Sequence, residues 1–327
     1  MALDSSARQP YICSVMKNSK HQLDIIGSRR HRCAGSIWTA SFDQRGVGRA
    51  AFCGVRSRSG AAAVHVRETG LILGRMQEEL WNHRSRRSLR WVWLSPDADP
   101  FVPGARDLVE PTLAAARVLL EQGLGVLLQT RGGGPSTLGL MELAREFPEM
   151  MRVDVGFFSS EVKLVRAWEA GCAPVGARLA LLEDLSTLGV EVHARIGPII
   201  PLINDEPRPL RRLVRDLARH GVQSVIPQWL DDAPGLTRQI QREVSKSRAR
   251  IAHGWLHMEG AREGLGPRRV PEHVRRHGIA RLHEAADAAG IALMVCRCAS
   301  DLGTGACLSA PAGMDQKRQL DLFAEIA

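Results

Sequence analysis

Between residues 151 and 205 the hydrophobic pattern of the chain spells out one complete structural unit. An apolar run over 153–158 ends in Ser159 and Ser160, and a helical segment follows that is broken at Gly171-Cys172-Ala173-Pro174. A second helical segment, 178–188, places Leu179, Leu181, Leu182, Leu185 and Leu188 on one apolar stripe and stops at Gly189. A further apolar run over 190–196 then leads directly into Gly197-Pro198-Ile199-Ile200-Pro201. The order predicts a strand, a helix and a parallel strand. Both strands give way to small, polar or Gly/Pro residues, which is where parallel α/β folds place ligands.

The same alternation extends in both directions. Apolar runs at 36–42, 89–95 and 124–130 predict three earlier strands, and 222–226 predicts one later strand. Helical patterns lie at 68–82, 105–122 and 208–220, the last with arginines on its polar face. The fold class that results is α/β, a partial (βα)6 TIM-type barrel over residues 36–232. Residues 1–35 lack periodicity, carry the charge run Ser28-Arg29-Arg30-His31-Arg32, and read as an irregular basic arm. Residues 233–312 form a helical, cysteine-bearing C-terminal extension, with charged helices at 238–250 and 268–290 and a strand-like run at 291–295. A tail, 313–327, closes the chain.

The 327-residue length allows a single large α/β domain, and 44% hydrophobic with 24% charged residues is ordinary for a globular protein. No apolar run reaches the length needed to span a bilayer, and the first twenty residues contain no hydrophobic signal core, so a cytoplasmic protein without a membrane partner is expected. The formal net charge is +9, carried almost wholly by arginine, which predisposes the protein to polyanions and makes nucleic acid the expected partner. A single tyrosine argues against an aromatic platform for stacking single strands. His273, His277 and His283 lie among arginines and read as surface residues. The two C-terminal helices offer a basic face to a phosphate backbone.

Seven cysteines in such a chain point to free thiols or metal ligands. Cys13, Cys33, Cys53 and Cys172 are scattered. Cys296, Cys298 and Cys307 sit together as a C-x-C…C trio, a candidate site for zinc or an auxiliary cluster that needs one more ligand from elsewhere. Asp97 and Asp99, after the 89–95 strand, are candidates to accept from an amino group, or simply to cap the next helix. Thr130-Arg131-Gly132-Gly133-Gly134 combines a cation with glycines that permit close backbone approach, or forms a flexible turn.

Strand, Ser159-Ser160, helix, the 171–174 turn, helix, strand and Pro198-Ile199-Ile200-Pro201-Leu202-Ile203-Asn204-Asp205, in that order, resemble the second half of the radical S-adenosylmethionine (SAM) barrel. The likeness is to the branch of spore photoproduct lyase and the DNA repair photolyase proteins, with Ala98-Asp99-Pro100-Phe101-Val102-Pro103 in place of that branch's Asp-Pro turn. The resemblance implies DNA-repair or nucleic-acid chemistry with S-adenosylmethionine and a [4Fe–4S] cluster. It also implies that Asp97 or Asp99 meets the methionyl ammonium, that Ser159 and Ser160 line the ribose or methionine side, that Arg195 points into the barrel, and that the turn at Asn204 and Asp205 runs along the adenine.

The family holds its cluster with cysteines spaced C-x3-C-x2-C after the first strand. Here Cys53 alone matches; Ala50 and Gly46, or Val47 and Ala51 with a one-residue gap, stand where the others are needed. A lost cluster, a loop read in a shifted frame and a mistaken family resemblance all account for that. Two functions follow: a radical SAM-like enzyme of nucleic acid, or a non-catalytic adaptor. The tail favours a partner for the second, since Gln319-Leu320-Asp321-Leu322-Phe323 resembles the peptide by which bacterial polymerases and repair proteins dock on the sliding clamp.

Overall fold

The computed structural model describes the backbone of residues 26–31 and 35–40, helical residues within 73–80, and residues 90–95, 99–231, 236–261 and 268–295. Eight strands among them form one sheet in chain order: β1 (Ile26–His31), β2 (Gly35–Ala40), β3 (Trp91–Leu94), β4 (Gly125–Thr130), β5 (Met151–Phe157), β6 (Glu191–Ile199), β7 (Ser224–Trp229) and β8 (Ala292–Leu293). Every neighbouring pair from β2 to β8 is parallel, whereas β1 runs antiparallel to β2. Helices α1 (Arg106–Glu121), α2 (Leu138–Glu146), α3 (Val162–Trp168), α4 (Val175–Thr187) and α5 (Pro207–Arg219) connect the parallel strands. Helices α6 (Leu236–Glu243), α7 (Lys246–His257) and α8 (Glu272–Asp287) separate β7 from β8. The six parallel strands β2 to β7 are those the apolar runs predict, and the architecture is the partial TIM-type barrel.

The sheet is wider than the pattern implies. Strand β1 lies inside the stretch read as an irregular arm. Ile26–His31 lacks apolar alternation, and an edge strand can be held by backbone pairing alone, here in register from Ile26 opposite Ala40 to His31 opposite Gly35. At the other edge α8 and β8 continue the barrel pattern past residue 232, with Ser224 opposite Ala292. The charged helix expected over 238–250 is two, α6 and α7, divided at Val244-Ser245.

Alternation along the strands sets the two faces of the sheet. Val126 and Leu128 of β4, Val153, Val155 and Phe157 of β5, Ala194 and Ile196 of β6 and Val225 of β7 face the helical layer. There they join Leu119, Leu182, Leu185, Leu213, Val214, Leu217 and Leu282 in one core. Each fully buried side chain of this size contributes about 1.5–3 kcal/mol. A second core lies past the strand ends, where Phe158, Trp168, Ile200, Ile203 and Leu230 pack under α6 and α7. Phe158 stacks on Trp168 with ring centroids 5.2 Å apart.

Candidate functional site

The other face of the sheet, the concave one, is polar. In β5 the residues that alternate with Val153, Val155 and Phe157 are Arg152, Asp154 and Gly156, and the first two are fully buried. Asp154 accepts from Arg152 Nε at 2.9 Å and from Arg195 Nε of β6 at 2.7 Å. Burial opposes ionisation of this carboxyl. Arg195 and Arg152 beside it outweigh that and hold its pKa below the ordinary carboxylate value. The chain of contacts continues: Arg152 approaches Glu191 at 3.6 Å, Glu191 meets His193 Nε2 at 2.9 Å, and His193 Nδ1 meets the Ser224 hydroxyl. Strands β5, β6 and β7 are thus tied together by side chains as well as by their ladders.

A second polar cluster sits at the strand ends. Glu169, after α3, has a fully buried side chain. It accepts from Arg178 Nη1 at 3.0 Å and Nη2 at 2.8 Å, and from Arg131. Arg178 also donates to the Gly156 carbonyl at 2.6 Å, and Arg131 to the Gly197 carbonyl at 2.6 Å. The Arg131 side chain reaches from β4 across β5 because Gly156 leaves the space; a Cβ there would lie 2.9 Å from the guanidinium carbon. One carboxylate therefore anchors two guanidiniums over the ends of three strands. Cys172 lies beside it, and burial, reinforced by Glu169, pushes its thiol up to about 12. Such a thiol is inert, in keeping with a structural turn.

Most of the described residues expected to hold a cofactor are hydrogen-bonded to the chain itself. Asp99 accepts from Phe101 N at 3.1 Å, from the Thr130 hydroxyl at 2.7 Å and from Arg131 N. Burial raises its pKa against these three donors. Both its oxygens are engaged within the chain, yet Asp99 caps no helix: α1 starts after Ala105 with no side-chain cap hydrogen bond. Ser159 accepts from Glu161 N at 3.0 Å, ahead of α3, and Ser160 donates to the Pro209 carbonyl at 3.2 Å. Asn204 donates to the carbonyls of Phe158 (2.9 Å) and Pro198 (3.0 Å) and accepts from Ile200 N at 2.8 Å, which stitches β5 to the turn after β6. Asp205 accepts from Leu202 N at 2.7 Å and from Arg281 of α8 at 2.8 Å. Among the described residues expected to hold a cofactor, Arg195 is the one on the concave face, its side chain still 14% exposed. The glycines after β4 serve the chain itself: a Cβ on Gly132 would lie 2.3 Å from the Phe101 carbonyl oxygen.

Asp97, Cys53, Cys296, Cys298, Cys307 and the 319–323 peptide lie outside the described residues. Among the described residues no group of three His, Cys, Asp or Glu side chains is placed to hold a metal ion, and no helix is long and apolar enough to cross a membrane. His273, His277 and His283 are exposed, as expected. The arginines of α8 are more occupied than a free basic face requires: Arg275 and Arg276 pair with Glu272, and Arg281 with Asp205.

No protein-family model matches the chain. A solved structure of spore photoproduct lyase complexed with dinucleoside spore photoproduct superposes with a TM-score of 0.59 at 15% identity, over 76% of this chain and 72% of that one. The fold is that of spore photoproduct lyase. A variant of spore photoproduct lyase with bound AdoMet and dinucleoside spore photoproduct gives a TM-score of 0.58 over the same shares. A sequence relative, an uncharacterized protein of Acidianus two-tailed virus, is 27% identical over 156 residues. That match spans 44% of this chain and 48% of the viral protein.

Two features of this spore photoproduct lyase fold escape a reading by apolar runs. Arg152 and Asp154 fall at or inside what looks like one buried strand, and Glu169 and Arg178 flank what looks like a plain turn. The available signal was the period of two in Met151–Phe157, which marks one polar and one apolar face.

Proposed function

We propose that this protein acts on nucleic acid, with a spore photoproduct lyase-type barrel that does not assemble the three-cysteine cluster. The observation that carries the reading is the arginine excess of that fold, where one carboxylate at the strand ends and one on the concave face each face two guanidiniums. Glu169 holds Arg131 and Arg178, and Asp154 holds Arg152 and Arg195. Such an excess favours a polyanion over a neutral substrate. The family's barrel, its repair chemistry and the net charge of +9 point the same way.

The donor set argues against the cluster. Fifty residues separate β2 from β3, and Cys53 is the one cysteine in that interval, where three thiolates are needed. Of the two carboxylates expected to meet the methionyl ammonium, Asp99 already accepts three hydrogen bonds from its own chain, and Asp97 lies outside the described residues. S-adenosylmethionine should therefore bind weakly or not at all.

Anaerobic iron and sulfide reconstitution, followed by iron quantitation, tests this half of the reading. Iron that is independent of Cys53 is expected. About four irons per chain, lost in Cys53→Ala, would return the barrel to cluster chemistry; the same iron lost in Cys296→Ala would place a cluster in the C-terminal trio. For the nucleic-acid half, titration of labelled DNA and RNA oligonucleotides should show binding that weakens as salt rises. A protein that binds neither at low salt has another substrate.

A further inference from the structure

We propose that the outer face of α5 carries the phosphate backbone of a duplex nucleic acid. The proposal rests on the nucleic-acid reading above and says where the polymer lies. Arg208, Arg211, Arg212, Arg215 and Arg219 succeed one another at i, i+3, i+4, i+7 and i+11, so all five share one stripe. With Asp216 they line a shallow groove along the helix. Arg212 and Arg219 are 76% and 69% exposed, and both lean toward the same carboxylate, Asp216, at 3.9 and 3.7 Å. Arg208, Arg211 and Arg215 are exposed, and their side chains make no hydrogen bond or ion pair among the described residues.

Five cations on three turns of helix repel one another. Like charges at i, i+3 and i, i+4 destabilise a helix, and this stripe contains five such pairs with one acid to offset them. Folding gains nothing from that arrangement, whereas a polyanion does. Guanidiniums bind phosphate bidentately. The stripe covers eleven residue steps, about 16 Å at a rise of about 1.5 Å each. One strand of B-DNA presents a phosphate about every 3.4 Å along its axis, so about five phosphates match that length. An anionic membrane is the weaker fit. A helix lying in a bilayer surface buries its apolar face there, and the apolar face of α5, Leu210, Leu213, Val214 and Leu217, is already committed to the core. Position agrees as well. Helix α5 begins at Pro207, directly after the turn that closes β6, so a backbone on the stripe starts beside the barrel mouth.

The test is a salt titration of a short labelled duplex against the full-length protein and Arg208→Gln/Arg211→Gln/Arg215→Gln. Removing three phosphate contacts should lower the slope of log K against log salt by about 2.7 and weaken binding by about 500-fold at about 0.1 M salt. A variant with unchanged slope would overturn the stripe while leaving nucleic-acid binding in place. If the unmodified protein binds no duplex, the stripe falls, and the nucleic-acid reading falls with it only if single-stranded DNA and RNA are not bound either. Vesicles of anionic phospholipid that hold the protein more tightly than duplex, through the same three arginines, would replace this partner with a membrane surface.

Discussion

The arginines of the interior and those of α5 are the same residue put to opposite uses. Inside, Arg152 and Arg178 are almost wholly buried and Arg131 and Arg195 nearly so, each within reach of a carboxylate. Outside, Arg208, Arg211 and Arg215 stand in solvent without one. Burial makes the difference. A guanidinium taken out of water costs several kcal/mol unless it is paired and hydrogen-bonded, so the interior supplies Glu169 and Asp154. At the surface water does the pairing, and the charge stays available to something else. The interior arginines should therefore matter for folding as well as for the field they project, and the exterior ones for binding alone.

The sharpest way to break that contrast is to remove the shared counter-charge. Glu169→Gln leaves Arg131 and Arg178 buried around a neutral amide, and a loss of about 3–5 kcal/mol is expected in urea unfolding. A loss below about 1 kcal/mol would mean that the pair is solvated after all. Asp154→Asn should cost somewhat less, because Glu191 still approaches Arg152. Its effect should also depend on pH. The folded pKa of Asp154 is lowered, so its contribution is fully present above the ordinary carboxylate pKa and is lost as pH falls through the folded value. Unfolding midpoints of the native protein and the variant should converge in acid and separate toward neutrality; a constant gap would contradict the ionic account. The smallest effect belongs to α5. The Arg208→Gln/Arg211→Gln/Arg215→Gln protein should unfold within about 0.5 kcal/mol of the native one, or slightly later, since repulsion is relieved. A clear loss of stability would make those arginines structural.

How legible each region was follows from the same physics. Strands β3 to β7 and helices α1, α4 and α5 stand out because burial demands apolar side chains, and glycines such as Gly123 and Gly189 mark helix ends by their positive φ. Strand β1 does not stand out, because an edge held by backbone pairing imposes little on composition. The place of β8 in the sheet was hidden for a related reason: two residues are too few to show a period. The site was less legible than the fold. Asp99, Ser159, Ser160 and Asn204 were found at the right strand ends, but a polar residue there looks the same whether it meets a ligand or its own backbone. Glu169 was missed because one acid in a turn carries no pattern, and only the tertiary structure brings Arg131 and Arg178 to it.

Leu202 has a consequence for how this sequence can change over time. It follows β6 with φ of 66°, a conformation that costs a branched side chain and costs glycine or asparagine little. Its neighbours fix that conformation: Asp205 receives its amide, Asn204 holds Ile200, and Trp255 donates to the Pro201 carbonyl at 3.0 Å. Meanwhile the side chain is 68% exposed and rests on no core. A lineage selected for stability alone would drift to glycine or asparagine at this codon, since either relieves the backbone and neither gives up packing. Leucine at 202 is thus a position where descent and thermodynamics disagree, and comparing descendants of this gene at that codon would show which of the two has been in charge.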